Sequence, residues 1–174
     1  MDLRKEVIEW VKCIVISVAI ALFIKTFIFN STKVIGSSML PTLHENDRLF
    51  SNKVVYLIGE PKKGDVVVIK APDDPSKDYI KRVIAVEGDK VEIKDGKVYV
   101  NGKEIEENYI AEGAFTEIYQ EDSWEVPKDN VFVLGDNRDP GASKDSRVFG
   151  VVKVDSVKGK ASIIYYPFNR AGKI

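Results

Sequence analysis

The chain has one cysteine and one histidine, and each scarcity excludes a class of chemistry. Cys13 lies inside an apolar run, so there is neither an intrachain disulfide framework nor a cysteine cluster for a metal. It reads as an ordinary buried thiol. A Ser-His-Asp triad would have to rely on His44. That residue precedes the polar, turn-like Glu45-Asn46-Asp47, which reads as a surface setting. An excess of charge is also missing, with 26 basic against 27 acidic residues, so no footprint for nucleic acid or another polyanion is visible. No repeat or low-complexity tract interrupts the sequence, and an apolar content of 44% argues against disorder. The 174 residues allow one compact domain plus an anchor.

The one long apolar segment runs from Trp10 to Phe29, interrupted only by Lys12, Ser17, Lys25 and Thr26. As a helix it would be about 30 Å long, the thickness of a bilayer core. Lys12 and Lys25 sit near its ends, where their stems can carry the charge to the interface. No small-x-small cleavage site follows the run, so it is expected to stay attached as a signal anchor. Arg4, Lys5 and Lys12 on one side face Lys25 and Lys33 on the other, a weak positive-inside bias. The expected plan is a short tail over residues 1–9, a membrane span over 10–29 and a β-rich domain over 30–174.

After Asn30 the sequence changes to short Val-, Ile-, Tyr- and Phe-rich segments broken by Gly, Pro, Asn and Asp, with no long amphipathic helix. Strands are expected at Arg48 to Val54, Asp65 to Lys70, Tyr79 to Val86, Lys90 to Lys94, Lys97 to Val100, Asn130 to Leu134, Val148 to Val154 and Lys158 to Tyr166. Asp95-Gly96 and Asn101-Gly102 tolerate the positive φ of two-residue turns and predict a small meander. The acidic stretch from Glu104 to Glu125 reads as a solvated excursion. Ala161 to Phe168 is too short to span a membrane and reads as a terminal strand. The expected fold is mainly β, an antiparallel sheet or partial barrel preceded by one transmembrane helix.

Three blocks could carry chemistry. Ser38 lies between Gly36 and Pro41, where the backbone can turn sharply and present a hydroxyl. Alone, a Gly-x-Ser string is common in loops, and a serine needs a base to become a nucleophile. A lysine serves near neutral pH only if burial lowers its pKa by about two to three units from about 10.4. Lys81 stands out because it interrupts the core-like run Tyr79-Ile80-Lys81-Arg82-Val83-Ile84-Ala85-Val86. Strand alternation puts Tyr79, Lys81 and Val83 on one face and Ile80, Arg82 and Ile84 on the other. The third block, Gly135 to Arg147, follows the strand Val131 to Leu134 and could brace a site with hydrogen bonds. It lacks the spaced acids and closing glutamate of a calcium loop.

Taken together, Ser38-Met39-Leu40-Pro41-Thr42-Leu43, Gly64-Asp65-Val66-Val67-Val68, Tyr79-Ile80-Lys81-Arg82-Val83-Ile84 and Gly135-Asp136-Asn137-Arg138 with Asp145-Ser146-Arg147 resemble bacterial type I signal peptidases. The short, single-anchor Gram-positive type is the nearest pattern. The resemblance implies a Ser-Lys dyad in which Ser38 attacks the scissile carbonyl and neutral Lys81 takes its proton. It further implies that Ser143 hydrogen-bonds Lys81, that Asp145 pairs with Arg82 and Arg147, and that the Ser38 N–H donates to the oxyanion. Two departures stand out. Gly36 occupies the position where some members carry a second, hydroxyl donor, and Asp139-Pro140-Gly141-Ala142 makes the third block two residues longer than expected.

The substrates implied are secretory preproteins bound in extended form, with small residues at the third and first positions before the cut. Val34, Met39, Leu43, Tyr79 and Ile80 are the implied pocket residues, although alternation sets Ile80 opposite Tyr79. The implied location is the cell membrane, with the catalytic domain on the extracytoplasmic side, beside the bilayer and the export machinery. No metal or other cofactor is expected. The competing readings are a self-cleaving Ser-Lys protease and a membrane-tethered, non-catalytic β-domain that serves as a secretion partner.

Overall fold

A computed structural model describes residues 3–23, 29–56 and 58–174. Helix α1, Leu3–Phe23, is followed by strands β1 (Phe29–Lys33), β2 (Arg48–Asn52), β3 (Val66–Lys70), β4 (Asp78–Val86), β5 (Lys90–Lys94) and β6 (Lys97–Val100). Then come β7 (Lys103–Glu104), β8 (Ser123–Glu125), β9 (Asn130–Leu134), the short helix α2 (Ser146–Phe149), β10 (Val152–Lys153), β11 (Val157–Tyr166) and β12 (Gly172–Lys173).

Every described side chain of α1 is exposed, so Cys13 is an exposed thiol rather than a buried one. Among the described residues no helix is long and apolar enough to cross a membrane. Arg4, Lys5, Glu6, Glu9 and Lys12 crowd the first half of α1, and only its end, Cys13 to Phe23, is free of charge. The expected span over 10–29 also runs onto residues 24–28, which lie outside the described part.

The β domain consists of two antiparallel sheets. The larger has the order β1-β2-β11-β3-β4-β9-β10, with β12 added on β11, and its ends do not pair with each other. The smaller has the order β7-β6-β5-β8. Its two hairpins form as the sequence predicts: Asp95, Gly96, Asn101 and Gly102 all have positive φ, and Lys94 pairs with Lys97 across the first turn. Such φ values match the twist of the flanking strands.

Side-chain alternation assembles three buried clusters. Ile84, Val91, Ile93, Val98, Trp124 and Phe132 join the small sheet to the large one. Val34, Met39, Leu43, Leu49, Val66 and Ala161 fill the space under the loop between β1 and β2. Val67, Ile69, Val83, Val131, Val133 and Val152 form the third cluster. β3 is buried along Val66–Ile69, which explains its unbroken apolar run.

Two expected strands change. The segment Val148 to Val154 yields only β10, because Asp145 caps a helical turn by accepting a hydrogen bond from the Arg147 backbone N–H. The strand from Arg48 stops at Asn52, whose side-chain oxygen accepts from the Val54 N–H and turns the chain away. Nor is the acidic stretch wholly solvated. Within it Thr116 is buried, and Glu107 is drawn into an ion pair with the fully buried Arg138.

Candidate active site

The loop between β1 and β2 presents Ser38. Gly36 enters it at φ +86°, a left-handed conformation that disfavours a side chain. Met39 and Leu43 anchor the loop in the core, and Pro41 and Thr42 carry it back toward β2. Lys81 lies in the middle of β4, where its Cα partner on β3 is Val67. The Lys81 Nζ donates a 2.8 Å hydrogen bond to Ser38 Oγ.

Lys81 is only 3% exposed. Burial is the main cause that lowers its pKa, to about 8, and Arg147 pushes in the same direction. The carboxylates of Asp145 and Asp136 oppose that shift. The amine is therefore a competent proton acceptor near neutral pH, already at hydrogen-bond distance from a hydroxyl. The ring of Tyr79, two residues along the same face, lies 5.4 Å from the amine.

The third block packs directly on the serine loop. The Asn137 N–H donates to the Ser38 carbonyl at 3.0 Å, and the Asn137 side-chain amide donates to the Ser37 carbonyl at 3.1 Å. Gly135 permits this approach: a β-carbon there would stand 2.2 Å from Ser143 Oγ and 2.5 Å from the Ser38 carbonyl oxygen. Arg138 then ties the block to the acidic stretch, donating to the Gly135 carbonyl at 2.8 Å and to Thr116 Oγ1 at 2.7 Å while pairing with Glu107.

The charged pairs differ from those the resemblance implies. Arg82 does not pair with Asp145; it grips Asp136 with two bonds, Nε to Oδ1 at 2.8 Å and Nη2 to Oδ2 at 2.7 Å. The sheet explains the exchange. Arg82 is the Cα partner of Leu134, and Asp136, two residues beyond, falls on the same side. Thr42 Oγ1 adds a 2.5 Å bond to Asp136, and the Arg82 guanidinium stacks 4.0 Å over the Tyr109 ring.

Asp145 pairs with Arg147 alone, at 2.9 and 2.8 Å, and accepts from the Gly135 N–H at 3.1 Å. Burial pushes the Asp145 carboxyl up, but Arg147 and the Gly135 N–H outweigh it and hold the pKa below the usual range.

Ser143 also departs from expectation. Its hydroxyl is buried beside Gly135 and makes no hydrogen bond of normal geometry, so it does not bond Lys81. It is near enough to Asp145 to add a small lowering of that carboxyl. Its side chain packs against Gly135, while the Lys81 amine donates to Ser38 Oγ.

The implied pocket residues divide as alternation requires. Val34, Met39 and Leu43 are buried together, with Ile80 packed against them, while Tyr79 packs against the separate cluster around Val67 and Val83. Its hydroxyl donates to Asp73 at 3.2 Å. His44 is exposed, in keeping with its reading as a surface residue.

Sequence reasoning gave Gly135, Asp136, Asn137 and Arg138 only a shared bracing role within the third block, and gave Thr42 and Glu107 none. The first five lie inside the strings that carry the resemblance, so position was their signal. Glu107 had none, being one acid among many.

A model of the family described as signal peptidase, peptidase S26, matches residues 7–166. The chain belongs to this family. Signal peptidase I of Bacillus licheniformis is 38% identical over 184 residues, which cover 98% of this chain and 94% of that protein. Signal peptidase I S of Bacillus subtilis (strain 168) is 39% identical over 181 residues, covering 98% and 95%. A crystal structure of a signal peptidase I from Enterococcus faecalis has a TM-score of 0.48 and 32% identity, covering 59% of this chain and 97% of that one. Membership in the peptidase S26 family makes this chain an enzyme of that type and sets aside the non-catalytic reading.

Proposed function

We propose that this member of the peptidase S26 family removes signal peptides from secretory preproteins, with Ser38 as nucleophile and Lys81 as general base. The observation that carries the reading is the 2.8 Å bond between Ser38 Oγ and a buried lysine whose pKa is lowered to about 8. When the amine is neutral, its lone pair accepts the Ser38 proton along that line as Oγ attacks the scissile carbonyl. The carbonyl oxygen becomes an oxyanion facing the Ser38 N–H. The Lys81 ammonium then gives its proton to the leaving amine, and an acyl-Ser38 ester remains. Water, deprotonated by Lys81, hydrolyses that ester and returns the serine.

In this reading α1 belongs to a membrane anchor, and the β domain works at the extracytoplasmic face of the cell membrane. The exposure of the described α1 side chains, Trp10 and Ile14 among them, supports contact with lipid. The preprotein lies extended beside the serine loop, with affinity from its main chain and choice from the pockets near Ile80 and Tyr79.

Cleavage of a model preprotein in detergent by wild type, Ser38→Ala and Lys81→Met tests the proposal. Processing by wild type and none by either folded variant is the expected result. Undiminished processing by either variant would sink the dyad.

A further inference from the structure

Asn137 lies 100 residues from the serine loop in sequence, yet it holds that loop from both sides of the nucleophile. Its side-chain amide donates to the Ser37 carbonyl at 3.1 Å, and its backbone N–H donates to the Ser38 carbonyl at 3.0 Å. The Leu40 N–H adds a second 3.1 Å bond to the Ser37 carbonyl. The Ser37–Ser38 peptide bond is not among the cis bonds, so its C=O and N–H point in opposite directions within one plane. Fixing the Ser37 carbonyl therefore fixes the aim of the Ser38 N–H. Among the described residues that N–H has no internal acceptor.

The amide itself cannot turn freely. Asn137 Oδ1 accepts a 3.1 Å bond from the Asp139 N–H, an Asx turn that leaves Nδ2 directed at Ser37. The same turn opens the long Asp139 to Ala142 segment, where the Ala142 N–H bonds the Asp139 carbonyl at 3.0 Å. Gly36 offers no hydroxyl nearby, which raises the value of holding the Ser38 N–H still.

We propose that Asn137 is a positioning residue of the oxyanion site: it orients the Ser37–Ser38 peptide so that the Ser38 N–H meets the transition-state oxygen. The inference rests on the Ser38 reading above. Because the interaction matters only once the carbonyl oxygen gains charge, its loss lowers kcat and leaves ground-state binding intact.

The experiment compares full-length wild type, Asn137→Asp and Asn137→Ala in detergent. Asn137→Asp keeps the Asx-turn acceptor and replaces the donor toward Ser37 with a second acceptor; Asn137→Ala removes both bonds. Preprotein kinetics are measured above the pH limb of Lys81, where added charge cannot alter its protonation. Binding of a signal-sequence peptide aldehyde, whose carbon bonds Ser38 Oγ and whose oxygen occupies the oxyanion position, is measured alongside thermal melting.

The expected result is that kcat falls roughly ten- to a hundredfold in both variants, with KM and melting temperature held. Aldehyde affinity should fall in proportion to kcat. Unchanged kcat overturns the inference, as does a parallel loss of KM, aldehyde binding and melting temperature, which marks a merely structural role. A wild type that neither cleaves the preprotein nor binds the aldehyde overturns the Ser38 reading itself, and the inference with it.

Discussion

Gly135 and Ser38 meet backbone to backbone: a β-carbon on Gly135 would lie 2.5 Å from the Ser38 carbonyl oxygen. The contact closes a chain of support that runs from the third block to Ser38. Asp145 accepts from the Gly135 N–H, Arg138 donates to the Gly135 carbonyl, and Asn137 donates to Ser38 and Ser37. Ser38 is thus set by a strand end with no side chain, gripped from both of its polar groups.

Gly135→Ala should move this assembly, because one of the atoms in the way is a backbone oxygen and cannot rotate aside. Overpacking of this kind typically costs about 1 to 3 kcal/mol. Displacement of the serine loop should reduce turnover about a hundredfold. Melting curves and preprotein cleavage check both, and an alanine variant with wild-type turnover would show that the close approach is dispensable.

The rate of cleavage should rise with pH along a limb near pH 8, as the Lys81 ammonium loses its proton. Asp145 opposes the lowering of the Lys81 pKa, and Arg147 favours it. Asp145→Asn removes the opposing charge and leaves Arg147 uncompensated, so the limb of any remaining activity should move to lower pH. Losing one partner of this buried pair should also cost about 3 to 5 kcal/mol of stability. A limb that stays in place would separate Asp145 from the electrostatics of Lys81.

Lys81→Met should abolish activity and yet stabilise the fold. The folded pKa is about 8 against an ordinary 10.5, so between those values the unfolded chain holds a proton that the folded chain does not. Wild-type stability should therefore rise with pH across this window, as the cost of burying an ammonium disappears. The Met variant avoids that cost, and at pH 7 it should gain about 3 kcal/mol, a gain that shrinks as the pH rises from 8 to 10.5. Denaturant titrations at pH 7 and pH 10 measure the difference.

Glu107→Ala should destabilise the domain by about 3 kcal/mol, because it leaves the buried Arg138 guanidinium without its carboxylate. A double variant, Glu107→Ala with Arg138→Met, should recover part of that loss. Equal loss in the two proteins would show that Arg138 acts mainly through Gly135 and Thr116, its other partners.

The β domain and its two Gly turns were legible along the chain, since alternation and positive-φ dipeptides act over a few residues. The sequence also singled out Lys81, because a lysine inside an apolar strand run is conspicuous without any structure. The order of short strings around Ser38, Lys81 and Gly135 was enough to indicate the peptidase S26 family.

Most of the partners came from long-range contacts. Arg82 found Asp136 rather than Asp145 because the register of β4 on β9 carries Asp136 to its side of the sheet. Ser143 was left without a bond to Lys81, and Glu107 was taken out of the solvent by Arg138, while Asp145 kept Arg147, the implied partner two residues away, through a local helical cap. One cause is common to Arg82, Ser143 and Glu107. Which charges meet depends on register and loop approach across up to about a hundred residues of sequence, and no local pattern encodes that distance.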